Sequence, residues 1–253
     1  MSTELLISRA ITNSYFEKLS SNLCVDVAFV GAGPSALTAA RKLALSGHKI
    51  VLFEKNLTPG GGIWGGGMFF NEVVLDESSL ALINELGISS KKIPDAETYY
   101  TVDSVELASG LIFAASQAGV TIFNSISVED IVFKENRVCG LVINWTAAKR
   151  LSMMVDPLAV MAEYVVDATG HPSEILHFVK ENAQAKLKTT TGEIIGERPM
   201  WVDRAEQECV TSTDEFFPGL FACGMSAVNA TGKHRMGAIF SGMFNSGHKL
   251  ANI

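Results

Sequence analysis

The chain has 253 residues, 47% hydrophobic and 19% charged, with 20 basic side chains against 27 acidic for a formal net charge of −7. That length accommodates one large domain or two small ones around a sizeable core, and apolar residues spread along the chain exclude a disordered protein. The acidic balance argues against a protein that grips nucleic-acid phosphates, which would be basic.

Apolar residues at Ile7, Ala10, Ile11, Tyr15 and Leu19 predict a helix over 7–19. No basic segment followed by an apolar one precedes it, so no secretory signal is read and a cytoplasmic location is expected. Residues 24–30, CVDVAFV, suit a buried parallel strand. A glycine turn and an amphipathic helix ending near Gly47 come next, then a strand over 49–54. This is a strand–helix–strand crossover unit. The chain is loop-like and glycine-rich to Gly67. Helices are predicted over 76–86 and 105–118. Strands over 120–124, 128–134 and 138–145, with a Glu135-Asn136 turn, suggest an antiparallel meander. A strand over 161–168, a helix over 173–182, a strand over 220–224 and a small-residue helix over 238–251 complete the chain. The expected fold is one α/β domain over 1–253, Rossmann-like and flavoprotein-like, with an inserted antiparallel β portion at about 98–160.

No apolar run reaches the roughly 20 residues of a membrane span. The four cysteines, Cys24, Cys139, Cys209 and Cys223, show no metal-knuckle spacing. Reduced thiols are the expectation.

Residues 31–36 read Gly-Ala-Gly-Pro-Ser-Ala, a GxGxxA pattern between a strand and a helix. Glu54 follows 23 residues after Gly31, at the end of the second strand. In that setting Gly31 makes the tight turn, Gly33 lets backbone approach a diphosphate, and Ala36 permits close helix–sheet packing. The diphosphate meets the helix N-terminus. Glu54 would accept from an adenosine ribose and repel a 2′-phosphate, favouring NAD or FAD over NADP. A second cluster, 59–67, holds six glycines around Ile63 and Trp64. Such a run cannot be a packed element, and it reads as a ligand-contacting loop anchored by Trp64.

An FAD-dependent oxidoreductase would share the first motif and the Ala168-Thr169-Gly170 after a strand. It would also carry an aspartate after the late strand, gripping the ribityl chain. Here that place is Met225, which cannot accept those hydroxyls.

The pattern as a whole resembles the thiazole synthases of thiamine biosynthesis, over nearly the full length. The resemblance rests on Ile7-Ser8-Arg9-Ala10-Ile11, the glycine–tryptophan loop 60–67, Val155-Asp156-Pro157, Asp167-Ala168-Thr169-Gly170-His171, Arg198-Pro199-Met200-Trp201 and Arg235-Met236-Gly237. It implies an iron-dependent enzyme that consumes NAD as a substrate, joins its ADP-ribose part to glycine and sulfur, and releases nicotinamide. By the same resemblance Asp156 and His171 are ligands of Fe(II), and Arg235 clamps the carboxylate of glycine. Ser35, Glu54, Lys55 and Gly62 would hold the ADP part. Val128 would offer a backbone contact to adenine, and Met225 another ligand contact. His234 departs from the family pattern.

In one branch of that family a cysteine two residues before the metal aspartate gives up its own sulfur. This chain has Met154 there. A thioether cannot deliver sulfide by that route, so a sulfide-dependent, repeatedly cycling enzyme is implied. The resemblance also implies a homo-octamer in which the aspartate reaches a neighbour's site. The small-molecule partners expected are NAD, glycine and sulfide, with no nucleic acid and no membrane. The alternatives are an FAD/NAD oxidoreductase, a ribose 1,5-bisphosphate isomerase-like activity, or a non-catalytic NAD sensor.

Overall fold

A computed structural model describes residues 2–253. Helix α1 (Thr3–Ser21) is capped by Ser2, whose hydroxyl accepts the Leu5 amide. None of its residues is buried; only Tyr15 and Leu19, from the predicted apolar stripe, rest against the core. The crossover unit is β1 (Cys24–Val30), α2 (Pro34–Leu45) and β2 (Ile50–Glu54). Then come β3 (Glu72–Asp76), α3 (Leu80–Glu85), β4 (Lys91–Lys92), β5 (Tyr99–Asp103) and α4 (Ser104–Gln117). The chain continues through β6 (Thr121–Asn124), β7 (Ile126–Lys134), β8 (Arg137–Trp145), α5 (Thr146–Arg150), β9 (Leu158–Asp167) and α6 (Glu174–Glu181). It ends with α7 (Val202–Ser212), β10 (Asp214–Phe217), β11 (Leu220–Ala222), α8 (Met225–Thr231) and α9 (Ser241–Leu250).

The main sheet runs β10-β11-β9-β1-β2-β6. Strands β11, β9, β1, β2 and β6 are mutually parallel, and β10 is an antiparallel edge. This is the expected Rossmann-like arrangement. Alternate residues of β1 and β2 feed opposite faces. Ala28, Val30, Val51 and Phe53 enter one cluster, and Val27, Phe29, Ile50 and Leu52 the other. Burial on both faces explains why these strands read as continuous apolar runs rather than alternating ones.

The antiparallel part is β7-β8-β9, with the first half of β9 pairing β8 and the second half pairing β1 and β11. Glu135 and Asn136 both have positive φ, as a tight hairpin turn requires. The meander differs from the expected one in its first member: β6 pairs in parallel with β2, because α4 carries the chain back to the main sheet. Within 98–160, residues 104–117 are helical and 121–124 belong to the parallel sheet.

A separate three-stranded sheet, β3-β5-β4, was not anticipated. Its strand β3 occupies the approach to the predicted helix over 76–86. Asp76 ends that strand and accepts the Ser78 amide at 2.9 Å, so the α-helix begins only at Leu80. Glycines of α9 allow close packing on its neighbours: a Cβ at Gly247 would lie 2.4 Å from the Ser35 carbonyl oxygen, and one at Gly242 2.8 Å from that of Glu206.

Candidate active site

Strands β1, β2, β9 and β11 point their C-terminal ends at one cavity of about 340 Å³. Strand β1 is the switch point: its neighbours β2 and β9 send their connections to opposite faces. Open α/β sheets bind ligands at such a crevice.

The first wall is the glycine turn. Gly31 has φ +93°, and a Cβ there would sit 2.4 Å from the Ala168 carbonyl oxygen. Glycine is therefore required where the β1 and β9 turns meet. A Cβ at Gly33 would meet nothing within 4 Å, so this backbone is open for a ligand to approach. Pro34 occupies the first position of α2, and no side chain caps the helix. Its N-terminal amides are left for an anion. Ser35 is buried at the same end and lines the cavity.

Glu54 is buried beside this turn. Its Oε2 accepts the Ala32 amide at 3.0 Å and its Oε1 the Asn56 amide at 2.8 Å. Two backbone donors thus orient the carboxylate, and the remaining lone pairs can accept hydroxyls. Lys55 does not stand alone at the rim: its Nζ meets Glu174 Oε1 at 2.5 Å. Its charge is therefore partly answered by that carboxylate. Val128 lines the far side with Ile126 and Ser127.

The second glycine cluster is packed, contrary to the expectation of an unpacked loop. Gly61–Gly65 form a 3₁₀ turn, Ile63 is fully buried, and Trp64 Nε1 donates to the Pro59 carbonyl at 2.6 Å. The Gly60 amide donates to the Ala32 carbonyl at 2.7 Å, docking this turn on the first. A Cβ at Gly61 would reach Gly33 Cα at 3.0 Å. Glycines on both segments let two backbones touch, and Gly61 and Gly62 thereby line the cavity. Trp64 anchors the turn from within.

The third wall is the loop after β9. Asp167, fully buried, accepts the Thr169 amide, the Thr169 hydroxyl and the Ser226 hydroxyl on Oδ1. Its Oδ2 accepts the Ile175 and Leu176 amides at 2.9 and 3.0 Å, satisfying the start of α6. Burial pushes its carboxyl up, against the pull of those donors. His171 rides on this braced loop, lines the cavity and is half-exposed. Its Nδ1 lies 2.5 Å from Glu197 Oε1. Met225, at the start of α8, closes the floor with Met236 and Met243.

Nine of the residues expected at the site line this one cavity: Gly31, Gly33, Ser35, Glu54, Lys55, Gly62, Val128, His171 and Met225. Arg235 does not. It is exposed, although Met236 and Gly237 beside it line the cavity. Asp156 and Met154 do not either. Asp156 lies at a separate hollow with Tyr15, Trp145 and Leu158, and Met154 is fully exposed. One copy therefore does not bring Asp156 and His171 together. Among the described residues no group of three or more His, Cys, Asp or Glu side chains is spaced to hold a metal ion.

Sequence reasoning missed Glu197, which stands immediately before the quoted Arg198-Pro199-Met200-Trp201. It also missed the cavity position of Cys223, which follows β11 directly. Burial pushes the Cys223 thiol well up, with the thiol of Cys209 and the Asp167 carboxylate adding to the effect. His234 is structural: its amide and Nδ1 both engage Glu208 Oε2 at 2.9 Å, pinning the segment before Arg235 to α7.

The fold and site define an α/β protein with a Rossmann-like, flavoprotein-like sheet and a glycine-turn cavity at its switch point, without the flavin-gripping aspartate. The Thi4 family model matches residues 8–240, and the chain belongs to that family. The thiamine thiazole synthase of Desulfosudis oleivorans is 48% identical over 248 residues, covering 98% of this chain and 95% of that protein. That of Thermotoga maritima is 46% identical over 250 residues, covering 99% and 96%. The crystal structure of Thermovibrio ammonificans THI4 superposes with a TM-score of 0.96 at 43% identity, covering 100% of this chain and 97% of that one.

Proposed function

We propose that the protein is a thiamine thiazole synthase that converts NAD, glycine and sulfide into an ADP-linked thiazole carboxylate and releases nicotinamide. The observation that carries this reading is the single cavity. It sets a glycine-turn diphosphate site and the oriented Glu54 carboxylate on one side, and an imidazole on the other. The relatives that bear this name match the chain nearly end to end, which supports the same reading.

The roles read from the resemblance are supported by the geometry for the residues that line the cavity, and for Arg235 rest on the resemblance. The amides at the start of α2 bind the diphosphate. Glu54 accepts the adenosine ribose hydroxyls and disfavours a 2′-phosphate by charge. The backbone of 126–128 lies along the adenine. Arg235, on a segment tied to Arg198 and Trp201 by backbone bonds, offers a guanidinium fork to the carboxylate of glycine.

One copy supplies a single imidazole for iron. The donor set fits Fe(II) when the partner's Asp156 completes it, as a carboxylate and an imidazole with open positions suit that metal. When bound, the metal supplies a Lewis-acidic centre with positions for small ligands. Self-association is supported by the surface around Asp156. Leu151, Met153, Met154 and Val155 are all exposed, as are Leu6, Ile11 and Phe16 of α1. Apolar exposure of this extent marks an interaction surface. The octamer follows from the resemblance.

External sulfide is supported by the cysteines. Met154 replaces the donor cysteine, and Cys223, though at the cavity, has a thiol held in its protonated form by burial. All four thiols are unpaired, which suits a reducing cytoplasm. No helix among the described residues is long and apolar enough to cross a membrane.

The test is anaerobic incubation of Fe(II)-loaded protein with NAD, glycine and sulfide. The expected result is nicotinamide release and an adenylated thiazole, with repeated turnover that stops when sulfide is omitted. Absence of product overturns the proposal. Product without sulfide, with a protein lighter by H₂S, would show a suicide donor instead. A yellow protein with bound flavin would indicate an oxidoreductase.

A further inference from the structure

The second nitrogen of the cavity imidazole is already engaged. His171 Nδ1 lies 2.5 Å from Glu197 Oε1, and Glu197 is the more buried of the two, at 16% side-chain exposure against 52%. An ionised carboxylate only accepts, so the proton between them sits on Nδ1, and in the neutral imidazole that leaves Nε2 as the nitrogen with the lone pair.

Both ends of this contact are held. On the Glu197 side, the Gly196 amide donates to the Asn229 carbonyl at 3.0 Å and the Arg198 amide to the Lys233 carbonyl at 2.8 Å. The carboxylate thus projects from a segment tied to α8 and to the strand-like stretch after it. On the His171 side, the Gly170 amide donates to Ser226 Oγ at 2.9 Å, and Ser226 in turn donates to Asp167. Asn229 Nδ2 donates to Ser173 Oγ at 2.9 Å, so α8 braces both the histidine loop and the glutamate segment. A surface ion pair between two mobile side chains would need none of this.

We propose that Glu197 is a positioning residue. It accepts Nδ1–H of His171, sets the tautomer and ring orientation, and presents Nε2 as the donor nitrogen for the metal. This rests on the reading of His171 as a metal ligand. Carboxylate partners of this kind orient ligating histidines and raise their basicity, and losing one typically weakens metal binding roughly 10–100-fold.

The test measures Co(II) affinity of the assembled protein from its visible absorption, with ADP-ribose binding as a control for the rest of the cavity. Glu197→Ala is expected to weaken Co(II) binding by roughly 10–100-fold while ADP-ribose affinity holds. Glu197→Gln, whose amide oxygen still accepts Nδ1–H, is expected to recover most of that loss. Nitrogen NMR of His171 in the metal-free protein should show the proton on Nδ1 in the native chain and a tautomer mixture in Glu197→Ala. Unchanged affinity and tautomer in Glu197→Ala overturns the proposal. So does a Gln variant as weak as the Ala variant, because the carboxylate would then act by charge or direct ligation. If His171→Asn binds Co(II) as the native protein does, the metal-ligand reading itself has failed, and that outcome is separate from the others.

Discussion

Ser226 donates its hydroxyl to Asp167 Oδ1 across 2.9 Å and accepts the Gly170 amide at the same distance. The pair joins the end of β9 to the start of α8 and brings the cavity histidine to a defined place. Asp167→Asn is expected to destabilise the fold by about 3 kcal/mol, because one amide oxygen cannot serve both the Thr169–Ser226 side and the two α6 amides, and each buried donor left unpaired costs about 1–3 kcal/mol. Urea denaturation measures it. A loss below about 1 kcal/mol would contradict the account.

Gly31→Ala tests the contact between the two turns. Positive φ alone costs a non-glycine residue about 1–2 kcal/mol. Gly47 has nearly the same φ, +94°, but a Cβ there meets nothing within 4 Å. Gly47→Ala should show the conformational cost only. Gly31→Ala should show that cost plus the clash with Ala168, and should also weaken ADP-ribose binding. Equal effects at the two sites would remove the packing argument.

Glu54→Gln should weaken ADP-ribose binding by about tenfold, the order of a lost charge-assisted hydrogen bond. It should also narrow the preference for NAD over NADP, since the charge that repels a 2′-phosphate is gone. Calorimetric titration with each nucleotide separates the two effects. A ratio unchanged by the substitution would show that Glu54 does not read the ribose.

Glu206 gives a pH prediction. Its carboxyl is pushed up to about 7 by burial, with the Gly242 amide at 2.6 Å opposing and Asp76 adding repulsion. Its Oε1 is buried without a partner. A folded pKa above the unfolded value means the native state binds the extra proton. The stability from this group is present in full below about pH 4.5 and is lost as pH rises through about 7. Glu206→Gln should flatten the decline between those values, by about 3 kcal/mol at its largest. Parallel native and variant curves would refute it.

Cys223→Ser should leave sulfide-dependent product formation near the native rate. The thiol lines the cavity, but its raised pKa leaves little thiolate to act as donor. Loss of all product with the fold intact would assign the thiol a chemical role.

The chain's local pattern determined the crossover unit. The run 24–30, the turn at Gly31 and Gly33, and Glu54 each follow from constraints a few residues long: burial on both strand faces, positive φ, and a carboxylate at a strand end. The hairpin at Glu135-Asn136 was legible for the same reason. Elements without such a signal were not. Helix α8, small and mostly buried, has no amphipathic stripe, and β3 and β5 acquire their pairing from each other, from β4 and from the distant 238–240 segment. What only the tertiary structure decided is which distant residues meet. It docked the second glycine cluster on the first and gave Glu197 to His171 from 26 positions away. It also placed Asp156 outside the cavity that holds His171. Those relationships depend on how β9, α8 and the 194–200 segment pack, and packing is a property of the whole chain rather than of any window along it.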